Sequence, residues 1–216
     1  MNRKRTERKQ PHVYLRSALI AGGSVFLAML LILTMDSTTG QDIRNAWKKI
    51  SRNLFEPEIP QDYIPIYQEA ADAYDIPWTL LAAHHRVETK FSTMNPLLSS
   101  AGAEGHMQFM PCTFVGWSHP TCGGLGKGNI TEHDKTNPIV IKKYGGYGVD
   151  GDGDGVADPY NLKDALYSAA NYLSESGASK GELESAIFHY NQSDDYVESV
   201  LFYYEKYEEQ YMKDSK

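Results

Sequence analysis

The chain has 216 residues, of which 41% are hydrophobic and 23% are charged, and its formal net charge at pH 7 is −7. The charge is unevenly distributed, because the residues from Glu56 onward include 11 lysines and arginines against 25 acids, a net of −14. Such an acidic surface repels nucleic-acid phosphates, which argues against a role in binding DNA or RNA, and the length leaves room for one folded domain of ordinary size.

The beginning of the chain is first basic and then apolar. Six lysines and arginines lie among the first sixteen residues, and residues 17–35 carry no charge. A helix over residues 17–35 would be about 28 Å long, close to the ~30 Å hydrocarbon core of a bilayer. We therefore predict a cytoplasmic tail over residues 1–16, one transmembrane helix over residues 17–35 and an extracytoplasmic remainder in the cell envelope. A cleaved signal peptide and a buried core helix are the alternatives, but no small-residue cleavage pattern follows Met35.

The rest of the chain divides into a linker and a helical domain. Residues 36–60 are rich in Ser, Thr, Gly, Pro and charge, which predicts a stalk. Apolar residues then recur at three- and four-residue steps, which predicts a mainly α-helical domain over residues 61–216. Helices are expected at about 62–74, 78–90, 162–174, 183–190 and 195–212. Most of the glycines lie between Ser92 and Gly155, where we predict a loop-rich lobe with short strands and helices.

The two cysteines, Cys112 and Cys122, lie ten positions apart in a segment that is predicted to face an oxidising space. We predict that they form a disulfide. Two buried free thiols are one alternative. A zinc site is another, but it needs two more ligands, and the neighbouring histidines lack paired spacing.

Three segments carry residues that suggest a chemistry: Val-Glu-Thr-Lys-Phe at 87–91, Ala-Gly-Ala-Glu-Gly-His-Met-Gln-Phe-Met-Pro at 101–111, and Ala-Ile-Phe-His-Tyr-Asn at 186–191. Their order and spacing resemble the lytic transglycosylase and goose-type lysozyme group of the lysozyme-like superfamily. The resemblance implies a lysozyme-like (α+β) domain that acts on peptidoglycan. The middle segment is the specific one. The chain departs from the family pattern at Thr89, where serine is usual, and at His106, where an apolar residue is usual.

The resemblance implies that Glu88, at the end of a buried helix, is the one catalytic carboxyl. A glycosidic oxygen leaves readily only when protonated, so such an enzyme needs an acid that keeps its proton near neutral pH, which burial can supply. Judged by its helix alone, Glu88 could instead be a solvated carboxylate paired with Arg86 or Lys90. Tyr190 is expected to face the glutamate and orient it. The chain has fifteen tyrosines, so packing is the alternative role for Tyr190.

The same segments supply the residues that are expected beside the substrate: Thr89, Gly102, Gly105, Met107, Gln108 and Asn191. Missing side chains at the glycines let a sugar approach the backbone, and the amide of Gln108 can donate and accept hydrogen bonds. A glycine-rich turn without a binding role is the alternative. The side chain of Met107, like those of Phe109 and Met110, is expected in the core.

Acids and glycines alternate over residues 150–158, which resembles the start of an EF-hand calcium loop. Position twelve of such a loop, ordinarily a glutamate, is Asn161, but Asp164 at position fifteen could close a longer loop, as in some lytic transglycosylases. The predicted ligands of a structural calcium ion are Asp150, Asp152, Asp154, Val156 and Asp164. A solvated acidic turn is the alternative.

The reaction implied by the resemblance cleaves the bond between N-acetylmuramic acid and N-acetylglucosamine and leaves a 1,6-anhydro sugar, with one carboxyl and no cofactor. A hydrolytic muramidase is the nearest alternative, and a required second acid such as Glu104 would favour it. A catalytically silent wall-binding scaffold is the other. The expected partners are glycan strands, the membrane through the N-terminal helix, and proteins of the envelope machinery.

Overall fold

Helices make up most of the described chain, which confirms the prediction of a mainly α-helical domain. The computed structural model describes Ile43 and residues 59–212. The α-helices in this part are α1 (Ile64–Tyr74), α2 (Trp78–Thr89), α3 (Pro111–Val115), α4 (Glu132–Thr136), α5 (Pro138–Tyr144), α6 (Leu162–Glu175), α7 (Leu183–Tyr190) and α8 (Asp194–Tyr207). Short 3-10 turns at Gln61–Tyr63 and Ala178–Lys180 and a π-helical end at Glu208–Met212 complete them.

Local chemistry explains where the longer helices begin and end. The helix α1 ends at Tyr74, directly before Asp75, whose backbone is left-handed (φ 53°), and α2 begins directly after Pro77. The side chain of Asn161 accepts the free N–H groups at the start of α6, and Ser193 does the same for α8. These caps satisfy donors that have no partner inside the helix, so the boundaries follow from the sequence.

The helix α2 is the centre of the hydrophobic core. It packs against α8 and α1 and more weakly against α6, while α1 also packs against α6. The side chains of Leu80, Leu81, Ala82 and Ala83 are fully buried, so that several faces of the helix are covered. The last turn of α2 is therefore held on several sides by other elements.

The lobe between α2 and α6 contains the short helices α3, α4 and α5, which contact one another. The expected strands are not formed in the described residues, where the β part is reduced to isolated antiparallel bridges between Leu98 and Glu104 and between Glu104 and Phe109. Tight turns with positive φ at Gly102 and Gly105 interrupt the extended backbone too often for a strand. The predicted disulfide between Cys112 and Cys122 is present in this lobe, with its Cα atoms 5.6 Å apart.

Within the described residues, no helix is both long enough and apolar enough to cross a bilayer. The predicted tail (1–16) and span (17–35) lie outside the described residues, as does the predicted stalk except for Ile43 and residues 59–60.

Candidate active site

Glu88 lies in the last turn of α2 with its side chain partly exposed. The hydroxyl of Tyr196 donates a hydrogen bond of 2.5 Å to Oε1 of Glu88. Burial raises the pKa of Glu88 to about 7, although the hydrogen bond from Tyr196 acts in the opposite direction. The arrangement can therefore present a protonated carboxyl at neutral pH. Arg86, considered above as an ion-pair partner, is buried with its guanidinium over the rings of Phe91 (5.9 Å) and Tyr203 (5.2 Å).

Tyr196 is a site residue that the sequence did not reveal. It comes from the first turn of α8, 108 positions from Glu88, and its hydroxyl also lies 3.0 Å from Nδ1 of His84. Because the hydroxyl of Tyr196 donates its hydrogen bond to Glu88, its oxygen accepts a hydrogen bond from His84. The neutral imidazole of His84 therefore carries its proton on Nδ1. Burial lowers the pKa of His84 to about 3, so the ring is neutral. A line of hydrogen bonds from His84 through Tyr196 thus ends on the carboxyl of Glu88.

Tyr190, the tyrosine expected to orient Glu88, lies in the same aromatic cluster. Its ring is parallel to that of Tyr196 with centroids 6.5 Å apart, and it packs against His84 at 4.9 Å. Its hydroxyl donates to the backbone carbonyl of Met107 at 2.8 Å. Tyr190 therefore fixes Met107 beside the tyrosine pair, whereas Tyr196 makes the direct hydrogen bond to the carboxyl.

Residues 104–109 form a tight turn that we call the floor hairpin. Its ends are joined by backbone hydrogen bonds in both directions between Glu104 and Phe109 (2.8 and 3.0 Å). Gly105 has φ +78°, and a Cβ at this position would lie 1.9 Å from the carbonyl oxygen of Pro159. The side-chain nitrogen Nε2 of Gln108 donates a hydrogen bond to the backbone carbonyl of Gly105 at 2.8 Å. The glycine is thus required by the approach of another backbone segment, and part of Gln108 is used to brace the turn.

Thr89 connects the end of α2 to the floor hairpin. Its side chain is buried, and its hydroxyl donates to the carbonyl of His106 at 2.8 Å. The same oxygen accepts the N–H of Ser92 at 3.1 Å. Thr89 therefore fixes the distance between the helix end and the hairpin. Asn191 is exposed and follows directly after α7, adjacent to Tyr190 in the chain.

His106, where an apolar residue is usual, belongs to a second line of hydrogen bonds. Its Nε2 lies 2.8 Å from the carbonyl of Tyr160, which can only accept, so Nε2 carries a proton. Its Nδ1 lies 2.6 Å from the hydroxyl of Ser92, which in turn lies 2.8 Å from Nε2 of His85. When Ser92 donates to His106, its oxygen accepts a hydrogen bond from Nε2 of His85. Nδ1 of His85 then carries no proton and accepts a hydrogen bond from the hydroxyl of Tyr67 (2.6 Å). Every group in this line is satisfied with both histidines neutral, and the line braces the hairpin against α2.

The acidic loop brings three of the five predicted metal-binding residues together. Carboxylate oxygens of Asp150, Asp152 and Asp164 lie within 4.8 Å of one another. Asp164 is buried and accepts hydrogen bonds from backbone N–H groups on both sides of the loop. Asp154 lies outside this group, with Oδ1 accepting the N–H of Val156 at 2.8 Å. The three clustered acids therefore occupy loop positions one, three and fifteen.

Asn161, at loop position twelve, has a different role from the usual glutamate. Its Oδ1 accepts the N–H of Lys163 at 2.9 Å as the cap of α6, and its amide nitrogen donates to Oδ2 of Asp152 at 2.6 Å. The side chain is therefore a helix cap that also orients one acid of the loop.

The helical domain thus presents one half-buried carboxyl with a raised pKa beside two tyrosines. The family model described as the transglycosylase SLT domain matches residues 141–184, which include the acidic loop and α6. This match supports the resemblance to the lytic transglycosylases, and the residues it covers contain none of the three motif segments.

A curated relative is similar over a longer stretch. It is described as an L-Ala--D-Glu endopeptidase of Bacillus subtilis (strain 168) and is 30% identical over 133 residues. The similarity covers 61% of this chain and 37% of that protein, so the chain spans a little over a third of the relative's length. No solved structure gives a significant match.

Proposed function

We propose that the protein is a peptidoglycan lytic transglycosylase with a lysozyme-like domain, which cleaves the bond between N-acetylmuramic acid and N-acetylglucosamine. The observation that carries the proposal is Glu88, a partly exposed carboxyl whose pKa is raised to about 7 by burial and which accepts a hydrogen bond from Tyr196. An acid with such a pKa can both donate and accept a proton near neutral pH.

The proposed reaction uses Glu88 twice. Its protonated form donates to the bridging oxygen, and the bond from that oxygen to C1 of the muramoyl residue breaks as positive charge develops on the ring. The resulting carboxylate removes the proton of the muramoyl 6-hydroxyl, whose oxygen forms a bond to C1. The products are a 1,6-anhydro sugar and a free hydroxyl on the leaving glycan, and Glu88 regains its proton. Tyr196 stabilises the intermediate carboxylate through a charge-assisted hydrogen bond.

Glu104 is the acid that would favour a hydrolytic muramidase. Its Oε2 accepts a hydrogen bond of 2.7 Å from Nζ of Lys135, a lysine that is itself buried. A carboxylate held by a lysine is poorly suited to activate a water molecule, because its oxygen is already engaged in the ion pair. This pairing supports a reaction with one carboxyl, and it leaves hydrolysis by Glu88 and water as the alternative.

Product masses test the proposal. Peptidoglycan digested by the full-length chain should yield 1,6-anhydro products, and hydrolysis would yield products heavier by one water. Glu88→Gln should abolish release, while the exposed control Glu205→Gln should keep it. Release by Glu88→Gln at the wild-type rate would refute the assignment, and a wild type without activity would support the scaffold alternative.

The name of the curated relative raises peptide cleavage as a further candidate. Both cysteines of this chain form the disulfide, so neither is free to act as a nucleophile on a peptide bond. The candidate site is instead centred on Glu88, a carboxyl that suits glycan cleavage. The same digest decides the question, since an endopeptidase would release new amino termini and leave the glycan strands at their original length.

We also propose that the acidic loop holds a structural calcium ion. The converging oxygens of Asp150, Asp152 and Asp164 are hard ligands, and burial raises the pKa of Asp164, which indicates an environment where a cation would be favourable. Asp154 and the backbone of Val156 would complete the set. The ion would brace the loop before α6 and would take no part in the reaction. Calorimetry without heat on adding calcium, together with an unchanged melting temperature, would contradict this proposal.

The cellular location is proposed from residues 1–35. The basic tail and the uncharged stretch support a single-pass anchor with the enzyme outside the membrane, close to glycan strands and to other envelope proteins. Protease added to protoplasts should degrade residues 59–212, and protection of this part would contradict the orientation.

A further inference from the structure

A small pocket lies at the Glu104 end of the floor hairpin. It has a volume of about 250 Å³, with apolar walls from Leu98, Pro111 and Ile130 and polar groups from Lys127 and Asn129. Drug-sized ligands occupy pockets of roughly 300 Å³ and more, so this pocket fits a short fragment with an apolar part and a polar end.

The pocket is connected to the candidate active site through the floor hairpin. Glu104 lines the pocket, and Met107 in the same hairpin accepts the hydroxyl of Tyr190 beside the Glu88 cluster. Met107 lies three positions after Glu104, and a chain extends at most ~3.6 Å per residue, so the Cα atoms of these two residues are no more than about 11 Å apart. The pocket and the tyrosine pair beside Glu88 are thus joined by one short hairpin.

The two lysines that line the pocket differ in their charge balance. Nζ of Lys135 lies between Oε2 of Glu104 (2.7 Å) and Oε2 of Glu132 (3.0 Å). Lys127 is exposed and has no ion-pair or hydrogen-bond partner among the described residues. Lys127 is therefore the cation that this pocket offers to a ligand, in a part of the chain that is otherwise strongly acidic.

The side chain of Lys127 lies beside Gly102, and the loop that carries it is tied to α3. Gly102 has φ +94°, and a Cβ there would lie 2.7 Å from Cε of Lys127, so the glycine makes room for the lysine side chain. The carbonyl of the preceding Gly126 accepts the N–H of Cys112 at 2.9 Å, and the disulfide to Cys122 ties the same loop to α3.

We propose that this pocket binds a carboxylate of the peptide stem that muramic acid carries, with Lys127 as the cation. The inference rests on the proposed glycan cleavage and specifies its substrate class, which is peptide-bearing glycan in preference to bare glycan. Lys127 is then a specificity residue, and Gly102 is the position that seats it.

The test compares three substrates with the purified full-length chain. These are glycan strands with free stem-peptide carboxylates, the same strands with those carboxylates converted to amides, and strands stripped of peptide. The variants are Lys127→Gln, which removes the charge, Lys127→Arg, which keeps it, and the control Lys180→Gln, an exposed lysine of the Ala178–Lys180 turn. Both kcat and KM are measured for each combination of protein and substrate, and binding of labelled strands is measured in parallel.

We expect the wild type to prefer free-carboxylate strands by about fivefold over the other two substrates, as is typical of one partly exposed ion pair. Lys127→Gln should lose this preference through a higher KM at unchanged kcat, while Lys127→Arg and Lys180→Gln keep it. An equal loss on all three substrates, or a wild type that ignores amidation, would overturn the inference. If the wild type cleaves no glycan, the proposed function fails, and the binding data alone decide whether Lys127 recognises the carboxylate.

Discussion

Replacing Tyr196 with phenylalanine removes the one hydrogen bond that the side chains of the described residues make to the carboxyl of Glu88. This bond favours the charged form and so lowers the pKa of Glu88, against burial, which raises it to about 7. A hydrogen bond to a charged group contributes about 1.5–3 kcal/mol, and one pKa unit corresponds to about 1.4 kcal/mol. The pKa of Glu88 in Tyr196→Phe should therefore rise by about one to two units.

The rise should be visible in the pH dependence of kcat/KM on glycan strands. The first step needs protonated Glu88, so the wild-type rate should fall as the pH increases through about 7. In Tyr196→Phe this descending limb should move to higher pH, while the maximal rate decreases because the carboxylate that forms in the reaction is no longer stabilised. Thermal unfolding at each pH verifies that the variant is folded.

Tyr190→Phe is the matched control, because the hydroxyl it removes donates to the carbonyl of Met107. The loss should cost about 1 kcal/mol of stability and leave the limb where it is in the wild type. A limb in Tyr196→Phe that stays in place or moves to lower pH would refute the reasoning, as would an equal shift in Tyr190→Phe.

Three further predictions concern stability. Glu88→Gln should increase the free energy of unfolding at pH 8 by up to about 3 kcal/mol. The reason is that the folded-state pKa of about 7 exceeds the ordinary value of 4.5, so the wild type loses stability as the pH rises from 4.5 to about 7. Chemical denaturation at pH 4 and pH 8 checks this, and an equal difference at both would contradict it. Gly105→Ala should destabilise by more than about 2 kcal/mol, because its Cβ meets the carbonyl of Pro159. Gly153→Ala, with φ +82° and open space around the Cβ, should cost less, and equal melting temperatures for the two would be inconsistent with a clash. Cys112→Ser should cost about 3 kcal/mol, as expected for a closed loop of this length. Added reductant should destabilise the wild type and leave the variant unchanged, and a variant as stable as the oxidised wild type would contradict the prediction.

Periodicity predicted the long helices well. The helices expected at 78–90, 162–174 and 183–190 are found at Trp78–Thr89, Leu162–Glu175 and Leu183–Tyr190. Each of them buries one or more faces over at least two turns, which gives a clear repeat of apolar residues. The helices of the lobe, such as Glu132–Thr136, are too short to show a repeat, and their position depends on contacts across the lobe.

The candidate site shows the same division between local and distant information. Glu88 could be found because its role is tied to a helix end and to a motif. Tyr196 could not, because a tyrosine on a helix has the same pattern whether its hydroxyl faces solvent or a carboxyl 108 positions away. The reasons for the glycines also depend on partners distant in the chain, Pro159 for Gly105 and Lys127 for Gly102. Periodicity indicates which face is buried and leaves open which atoms meet there.

Infrared difference titration of the full-length chain, wild type minus Glu88→Gln, follows the protonation of this one carboxyl directly. The carboxyl band of Glu88 should persist at pH 6 and disappear with a midpoint near pH 7. A midpoint near 4.5, the ordinary value for a solvated glutamate, would contradict the claim that burial prepares this residue to donate a proton.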